Sequence, residues 1–252
     1  MARRPGRSHR PQDEEAFLEA YDPREFERPS VAVDVALLSV REGRLCVPLV
    51  QRSEHPEQGK WALPGGFVGI DESLDAAAAR VLESKAGQTG VYVEQLYSFG
   101  DPGRDPRTRV ISVAYYALVD SANLRDLGAR DARLGNIEVP WGGETGGPVG
   151  VYDAAGNQMQ LAFDHADILG MAVKRLRGKL NYTPIGFSFL PETFALRRLQ
   201  DVHETILGAL TNKDSFRRRM LASGQLEATG ERESEVGHRP AELYRFRRRS
   251  AV

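Results

Sequence analysis

Apolar residues recur in short runs along the first two thirds of the chain, and each run is bounded by glycine, proline or charged residues. Runs of this length and composition predict β-strands, here over 31–39, 45–51, 91–99 and 110–119. The first two flank Glu42–Gly43, which predicts a β-hairpin. A second hairpin is predicted over 149–163 around Asp153–Asn157. The Gly-, Asp- and Arg-rich stretch 121–150 is expected to be irregular.

Two segments of this region have the composition of helices. The first, DAAAARVLESKA, begins near Ser73, where Asp71 or Ser73 can cap it, and stops at Gly87. The second begins at Asp164, a candidate cap, and runs to Leu180. Its apolar face consists of Ile168, Leu169, Met171, Ala172 and Leu176. Strands on both sides of one helix, followed by another helix, predict a layered α/β or α+β domain.

The C-terminal part shows a different order of elements. A helix is predicted over 196–207, with Leu196, Leu199, Val202, His203 and Ile206 on its inner stripe. A second helix, capped by Asn212 or Asp214, closes at Gly224 and should bury Phe216, Met220 and Leu221. Short strands over 226–229 and 242–246 enclose GERESEVGHRP. Helix, turn, basic helix and β-ribbon is the order of a winged helix-turn-helix, whose second helix enters the DNA major groove.

Composition limits the class of protein. The chain has 252 residues, of which 41% are hydrophobic and 27% charged, as in an ordinary soluble globular protein. Its single cysteine, Cys46, excludes an internal disulfide framework and a cysteine metal cluster. No apolar run is long enough to span a membrane, and the first residues lack the apolar core of a signal peptide. The expected location is the cytoplasm.

Charge is unevenly distributed although the net charge is only −1. Residues 182–252 carry twelve basic and nine acidic side chains, whereas 28–163 carry thirteen and seventeen. This asymmetry permits nucleic-acid binding at the C-terminal end. Residues 1–12 contain four arginines and two prolines, and predict a flexible basic arm within the segment 1–27. Such an arm either enters a DNA minor groove or is a terminus without a role.

The stretch from Trp61 to Gly87 carries the most specific motif. Five residues separate Gly66 from Glu72, seven separate Glu72 from Arg80, and Gly87 closes the segment. With the preceding WALPGGFV, this spacing resembles the Nudix box of enzymes that hydrolyse nucleoside diphosphates linked to another moiety. The family pattern is Gly-x5-Glu-x7-Arg-Glu-apolar-x-Glu-Glu-x-Gly. Its glutamates hold magnesium against a pyrophosphate, as suits an ion that prefers oxygen ligands.

The box departs from the family pattern at the metal ligands. Val81, Ser84 and Lys85 replace glutamates, and Glu83 is one position off, about 100° around the helix. We therefore predict no catalytic residue and no metal ligand, and no cofactor is required. Magnesium would matter only if residual hydrolase activity exists. Lys85 either provides a point charge for phosphate or is an ordinary solvated lysine.

Both modules, in this order, resemble the NrtR family of Nudix-related transcriptional regulators of bacterial NAD metabolism. The resemblance covers about 28–247 and is carried by the altered box and by LPETFALRRLQDVHETILG, FRRRMLASG and GHRPAELYRF. It implies an α+β chain: a Nudix-like α/β/α sandwich over 28–180, then a winged helix-turn-helix over 181–247. It also implies a homodimeric repressor of NAD-biosynthesis or NAD-recycling genes, which leaves its double-stranded DNA operator when it binds ADP-ribose or a related nucleotide. The helix from Asp164 to Leu180 is the candidate lever between the domains.

Two groups of residues are expected to carry these interactions. The expected nucleotide ligands are Arg52, Trp61, Gly65, Gly66, Phe67, Glu72, Lys85, Arg107 and Arg109. Backbone and guanidinium donors suit phosphate, and loops around 100–109 border the ligand in relatives that recognise ADP-ribose. The expected DNA contacts are Lys213, Ser215, Arg217, Arg218, Arg219, His238 and Arg239. An exposed basic face is also compatible with plain solvation.

Two other functions are compatible with the sequence. The chain could be an active ADP-ribose pyrophosphatase that holds its metal with Glu72, Glu83 and loop carboxylates. Alternatively, the C-terminal module could bind a protein or form a dimer contact. Phosphate contacts would give binding a steep dependence on salt, which separates DNA binding from protein docking.

Overall fold

The structure is a computed structural model that describes residues 13–124, 132–180, 182–234 and 240–247. The strands are β1 (Ser30–Arg41), β2 (Arg44–Gln51), β3 (Trp61–Ala62), β4 (Gly65–Phe67), β5 (Val93–Phe99), β6 (Val110–Leu118), β7 (Ala132–Glu138), β8 (Gly150–Tyr152), β9 (Thr193–Ala195), β10 (Leu226–Arg232) and β11 (Glu242–Phe246). The α-helices are α1 (Glu14–Ala20), α2 (Leu74–Ala86), α3 (His165–Leu180), α4 (Leu196–Leu207) and α5 (Lys213–Ala222). Short 3-10 helices cover Pro23–Glu25, Ser121–Asn123 and Pro184–Phe189.

The larger sheet has the order β5-β6-β1-β2-β7-β8, with β3 beside β2 and β4 beside β1. β1 is parallel to β6, whereas β2 and β4 pair with it antiparallel. β1 lies inside the sheet, and its residues 33–39 are all buried. A strand covered on both faces requires an almost continuous apolar run, as this one has. The strands predicted over 31–39, 45–51, 91–99 and 110–119 are confirmed, with ends that differ by a few residues.

One prediction about this sheet was wrong. The stretch 121–150 is not irregular throughout, because β7 lies within it and pairs with β2 and β8. Gly135 is one of the glycines of this stretch, but it lies inside the strand for a packing reason. A Cβ atom at this position would lie 2.3 Å from Val151 Cγ1 and 3.0 Å from Met159 Sδ. The glycine therefore leaves room for the side chains of Val151 and Met159 to pack against the strand backbone.

The predicted hairpin over 149–163 is only partly present. The turn is confirmed, since the Asp153 N–H donates to the Asn157 carbonyl at 2.9 Å and the Asp153 carboxylate accepts from the turn. The second arm makes one antiparallel bridge, Tyr152 with Gln158, and forms no strand. It then runs beside Trp61. The Gln160 carbonyl and the Ala162 N–H bond to the Trp61 backbone instead of to a second hairpin strand.

Helices cover both faces of the sheet. Alternate residues of β1 point to opposite faces, so Val33 and Val35 pack in one core with α2, while Ala36 and Leu38 pack in another with α3. Ser73 caps α2 by accepting the Ala76 N–H at 3.1 Å, which decides between the two predicted caps. The predicted stop at Gly87 is confirmed by its left-handed φ of 63°.

The C-terminal module contains β9, α4, α5 and the β10–β11 ribbon, with β11 between β10 and β9. The predicted bounds of α4 are confirmed, and Asn212 caps α5 by accepting the Ser215 N–H at 3.0 Å. Phe216 and Met220 are buried as predicted. The prediction for Leu221 was wrong: it is 43% exposed. Phe216 and Met220 lie one turn apart on the inner face, and Leu221 is about 100° beyond it.

The two modules share one hydrophobic core. The cluster that contains Leu49 of β2 and Leu176 of α3 continues into Leu199 and Ile206 of α4 and Phe216 of α5. At the same junction, the buried guanidinium of Arg177 donates to the backbone carbonyl of Ile206 at 2.8 Å. We call this junction of α3 with α4 the interdomain seam.

Several predictions concern residues at the ends of the chain and in loops. The short helix α1 is capped by Asp13, which accepts the Ala16 N–H at 2.8 Å. The basic arm 1–12 and the wing residues His238 and Arg239 lie outside the described residues. Within the described ranges, no helix has both the length and the apolar character needed to cross a membrane.

Candidate ligand pocket and nucleic-acid interface

A cavity of about 450 Å³ opens between β1, β4, the end of α2 and the loop 100–109. Six of the predicted nucleotide ligands line it: Arg52, Gly65, Gly66, Phe67, Lys85 and Arg107. Gly65 allows this close arrangement, since a Cβ atom there would lie 2.0 Å from Asp34 Oδ1. The β1–β4 pairing aligns Gly65 with Asp34 and brings the Pro-Gly-Gly turn directly over the central strand.

Lys85 places a positive charge on the wall of this cavity. Lys85 as a whole is exposed, but it belongs to the pocket lining and its ammonium group donates to the carbonyl of Gly65. Desolvation lowers the pKa of the ammonium, and the nearby Asp34 carboxylate partly opposes that effect. The lysine is therefore a pocket residue rather than an ordinary solvated helix position.

Arg52 holds a second positive charge at the pocket rim. Its guanidinium donates to the Pro56 carbonyl at 2.8 Å and lies 4.8 Å from the ring centroid of Phe163. Phe163 has a φ of 50°, which is unusual for a bulky residue and indicates that its surroundings hold it in place. Stacking on an aromatic ring holds the guanidinium in one orientation, so its N–H donors stay aligned for binding phosphate.

The loop 100–109 contributes a paired arginine. Arg107 donates to the Asp105 carboxylate through Nε at 3.0 Å and Nη2 at 2.7 Å. The same guanidinium lies 5.3 Å from the ring centroid of Phe67, which is 45% exposed. This pairing lowers the pKa of Asp105.

The cavity floor is a buried polar network that the sequence reasoning did not select. Asp34 accepts the Ser112 hydroxyl at 2.5 Å and lies 3.5 Å from both Arg104 Nη2 and His165 Nε2. Arg104 also donates twice to Asp164, at 2.8 and 2.7 Å. Burial lowers the pKa of His165, whose Nδ1 accepts the Leu63 N–H at 3.0 Å.

A signal for this network was present in the sequence. Asp34 is the one charged residue in the apolar run VAVDVALLS, and a buried carboxylate requires partners. Asp164 was expected to cap α3 with its side chain, but its carboxylate binds Arg104 and its backbone carbonyl accepts from Asp167 and Ile168. The partners of Asp34 are far apart in sequence, so their identity depends on the tertiary fold.

Three predicted ligands lie outside the cavity lining. Glu72 accepts the Gly69 N–H at 2.7 Å and two bonds from Arg80, which lower its pKa to about 2. Arg109 donates to the Asp101 carbonyl at 3.2 Å. Trp61 is half-buried beside β2, with the Arg133 guanidinium 5.7 Å from its ring centroid. Each of these side chains is occupied by protein contacts next to the pocket.

The residues at the box do not fit a magnesium site. Val81 is 1% exposed inside the core, and the Glu72 carboxylate is taken by Arg80. Lys85 extends into the cavity, where its charge would repel a cation. In the described ranges, no group of three or more His, Cys, Asp or Glu side chains has an arrangement suited to a metal ion.

The second helix of the C-terminal module presents a basic face. Lys213, Ser215, Arg217, Arg218 and Arg219 are all exposed on α5, while Phe216 and Met220 anchor its other side. Asn212 caps the first turn by accepting the Ser215 N–H. His203 of α4 stands edge-on against the Phe216 ring, with centroids 5.1 Å apart, and fixes α5 on α4.

Comparisons with known proteins agree with this two-part architecture. Residues 28–137 match the NUDIX domain family, and residues 186–246 match the NrtR DNA-binding winged helix domain. The chain is 39% identical over 236 residues to the ADPR responsive transcriptional repressor NtrR of Acinetobacter baylyi, covering 92% of this chain and 88% of the relative. It is 29% identical over 142 residues to an ADP-ribose pyrophosphatase of Methanocaldococcus jannaschii, covering 56% of this chain and 71% of the relative.

A solved structure extends the agreement to the whole fold. Shewanella oneidensis NrtR, crystallised with a 27mer DNA, superposes with a TM-score of 0.71 at 35% sequence identity. The match covers 86% of this chain and 93% of the Shewanella chain. The chain therefore belongs to the NrtR family, in which a Nudix domain precedes a DNA-binding winged helix domain.

Proposed function

We propose that this protein is a DNA-binding transcriptional repressor of genes for NAD biosynthesis or recycling. ADP-ribose or a related nucleotide binds the Nudix domain and releases the operator. The observation that carries this proposal is the exposed basic face of α5, joined through the seam to a domain with a cationic nucleotide-sized pocket. The Acinetobacter relative is named for the same response, and the Shewanella relative was crystallised on DNA.

In the proposed complex, α5 enters the major groove of double-stranded DNA. Arg217, Arg218 and Arg219, with Lys213 and Ser215, contact bases and phosphates, and His238 and Arg239 of the wing contact the flanking backbone. We assign 28–180 to the sensing domain and 181–247 to the DNA-binding domain. A homodimer would place two copies of α5 about one DNA turn apart, roughly 34 Å.

Release follows from linkage between the two sites. A nucleotide that binds better to one arrangement of the two α5 helices shifts the population toward that arrangement. α3 is the proposed lever, because its first residue, His165, lines the pocket and its last turns lie at the seam. A small rotation at that helix would spoil the spacing that a two-site operator requires.

The Nudix domain is proposed to sense rather than hydrolyse its ligand. Loss of catalysis is supported by Val81, Ser84 and Lys85 at metal-ligand positions of the box and by the Arg80 clamp on Glu72. The pocket side chains would then bind and orient the nucleotide without activating water. Repression is therefore relieved by occupancy of the pocket and not by turnover.

Fluorescence anisotropy with labelled promoter DNA from NAD-synthesis genes tests the proposal. We expect the affinity to fall steeply with salt and ADP-ribose to release the DNA. Arg218→Ala should reduce the salt slope by about one phosphate contact. Arg41→Ala, which removes an exposed arginine of the Nudix domain rather than of α5, is the matched control. Binding that is independent of salt and equal in both variants would contradict DNA recognition by α5.

The similarity to an ADP-ribose pyrophosphatase favours a second candidate function. In this alternative the chain hydrolyses ADP-ribose and its winged helix serves a regulatory or protein-binding role. Magnesium-dependent release of AMP that disappears in Glu72→Gln would support it. No release above the uncatalysed rate, together with DNA binding, would exclude it.

A further inference from the structure

We propose that Lys85 supplies the positive charge that a divalent cation gives a Nudix box, so that this pocket binds the diphosphate of its nucleotide without metal. This inference rests on the proposed sensing function and specifies its chemistry. The ligand class is a nucleoside diphosphate ester, and its recognition depends on fixed side-chain charges.

The position of the ammonium group is the first step. Lys85 is in the last turn of α2, yet its Nζ reaches back to the Gly65 carbonyl across the pocket. Gly65 is fixed by pairing with Asp34, so the lysine has a rigid acceptor. An ammonium group has three donors, and this contact uses one. The other two are available to phosphate oxygens.

The balance of charges in the cavity is the second step. Arg104 and Arg107 bind Asp164 and Asp105, so their charges are compensated. Arg52 and Lys85 form no salt bridge with any residue that the structure describes, and their contacts are backbone carbonyls and one aromatic ring. Asp34 favours the charged form of Lys85 from nearby, but no carboxylate of the described residues pairs directly with either cation, so both can contact the oxygens of a bridging diphosphate.

The fate of the box carboxylates is the third step. A cation would need several oxygen ligands, but Glu72 is held by Arg80, and Glu83 is exposed on another side of α2. Val81 contributes only an apolar side chain to the core. The positive charge at this site is therefore supplied by the Lys85 side chain and not by a bound metal ion. A lysine neutralises phosphate as a point charge but does not generate a metal-bound hydroxide, so binding is uncoupled from hydrolysis.

Titration calorimetry of the full chain tests this inference with two probes, ADP-ribose and inorganic pyrophosphate, in buffer with EDTA and in buffer with magnesium. We expect the wild-type affinity for ADP-ribose to be the same in both buffers. Lys85→Met should weaken binding of both probes by at least about tenfold, as expected for loss of a charge-assisted hydrogen bond. Lys174→Met on α3, whose lysine contacts the Thr145 carbonyl, is the matched control.

A reversal of the substitutions provides an independent test. The double variant Ser84→Glu with Lys85→Glu restores two box carboxylates, and we expect its ADP-ribose binding to require magnesium. Circular dichroism and the unfolding temperature would establish that each variant is folded. Wild-type binding that needs magnesium, or Lys85→Met binding as tightly as wild type, would overturn the inference.

The outcomes separate this inference from the proposed function. DNA release by ADP-ribose that requires magnesium would leave the repressor intact and remove the role of Lys85. Metal-free binding of ADP-ribose that depends on Lys85 but leaves DNA binding unchanged would support the role of Lys85 and contradict the proposed regulation.

Discussion

His203 shows how a single residue can limit the pH range of the winged helix. It is buried between α4 and α5, and a Cβ atom at Gly186 would lie 2.9 Å from its Nε2. Burial lowers its pKa from 6.5 to about 4. The folded state therefore keeps this imidazole neutral, while the unfolded chain takes up a proton below pH 6.5.

The stabilising contribution of neutral His203 is complete above pH 6.5 and is lost as the pH falls toward 4. Between pH 7 and pH 5 we expect the free energy of unfolding to decrease by roughly 2 kcal/mol from this group. His203→Leu should remove that component of the pH dependence, whereas His55→Leu in an exposed loop should not. Urea unfolding at both pH values measures the difference. His165 is present in all three proteins, so its contribution cancels. Equal pH dependence in wild type and His203→Leu would contradict this assignment.

At the residue scale, the sequence identified the pocket better than its floor. Lys85 and Gly65 could be selected because the box motif fixes their places along the chain, and Arg107 because it lies in the loop 100–109 that borders the ligand in relatives. Asp34 and Arg104 were missed because their contact joins β1 to a loop about seventy positions later, and no local pattern encodes that pairing.

At the scale of elements, helices were predicted more accurately than strands. α2 and α4 have local signals, namely a capping serine, a stopping glycine and a regular apolar stripe. β7 has no comparable signal, because its pairing with β2 and β8 is decided elsewhere in the chain. Its glycine also resembles a loop residue until the neighbouring Val151 and Met159 are known.

Gly135→Ala tests the packing explanation for β7. The added methyl group would collide with Val151 and Met159, and we expect a loss of about 1–3 kcal/mol in the free energy of unfolding. Gly142→Ala is the control, because a Cβ atom there has no neighbour within 4 Å among the described residues. Thermal or urea unfolding of both variants and the wild type would measure the change in the free energy of unfolding. A Gly135→Ala protein as stable as Gly142→Ala would refute the close packing.

At the scale of the whole molecule, the seam joins sensing and DNA-binding parts through buried groups. Besides Ile206, the Arg177 guanidinium donates to the carbonyls of Trp141 at 3.1 Å and Gly143 at 2.9 Å, and it lies 4.8 Å from the Trp141 ring centroid. Desolvation lowers the pKa of this arginine. The sequence predicted α3 as the lever, but it could not identify Arg177, whose acceptors are backbone atoms of distant segments.

Arg177→Met should loosen the seam, because it removes the buried hydrogen bond to the Ile206 carbonyl and the part-buried bonds to Trp141 and Gly143. We expect one calorimetric unfolding transition in the wild type and two in the variant. The release of DNA by ADP-ribose should also weaken, while direct binding of ADP-ribose remains. Arg175→Met is the control, since that arginine lies on the same helix but donates to Leu96 inside the Nudix domain. A single transition with full release in Arg177→Met would show that coupling follows another route.

The shared core also constrains how this gene can vary. Leu176 on one side of the seam and Leu199 and Ile206 on the other belong to one packed cluster, so a change of volume on one side selects for compensation on the other. The winged helix domain therefore cannot be replaced by that of a relative without affecting the packing of the Nudix domain. A chimaera that takes its winged helix from a relative would keep a native seam only if the α3 residues that face α4 are matched to it.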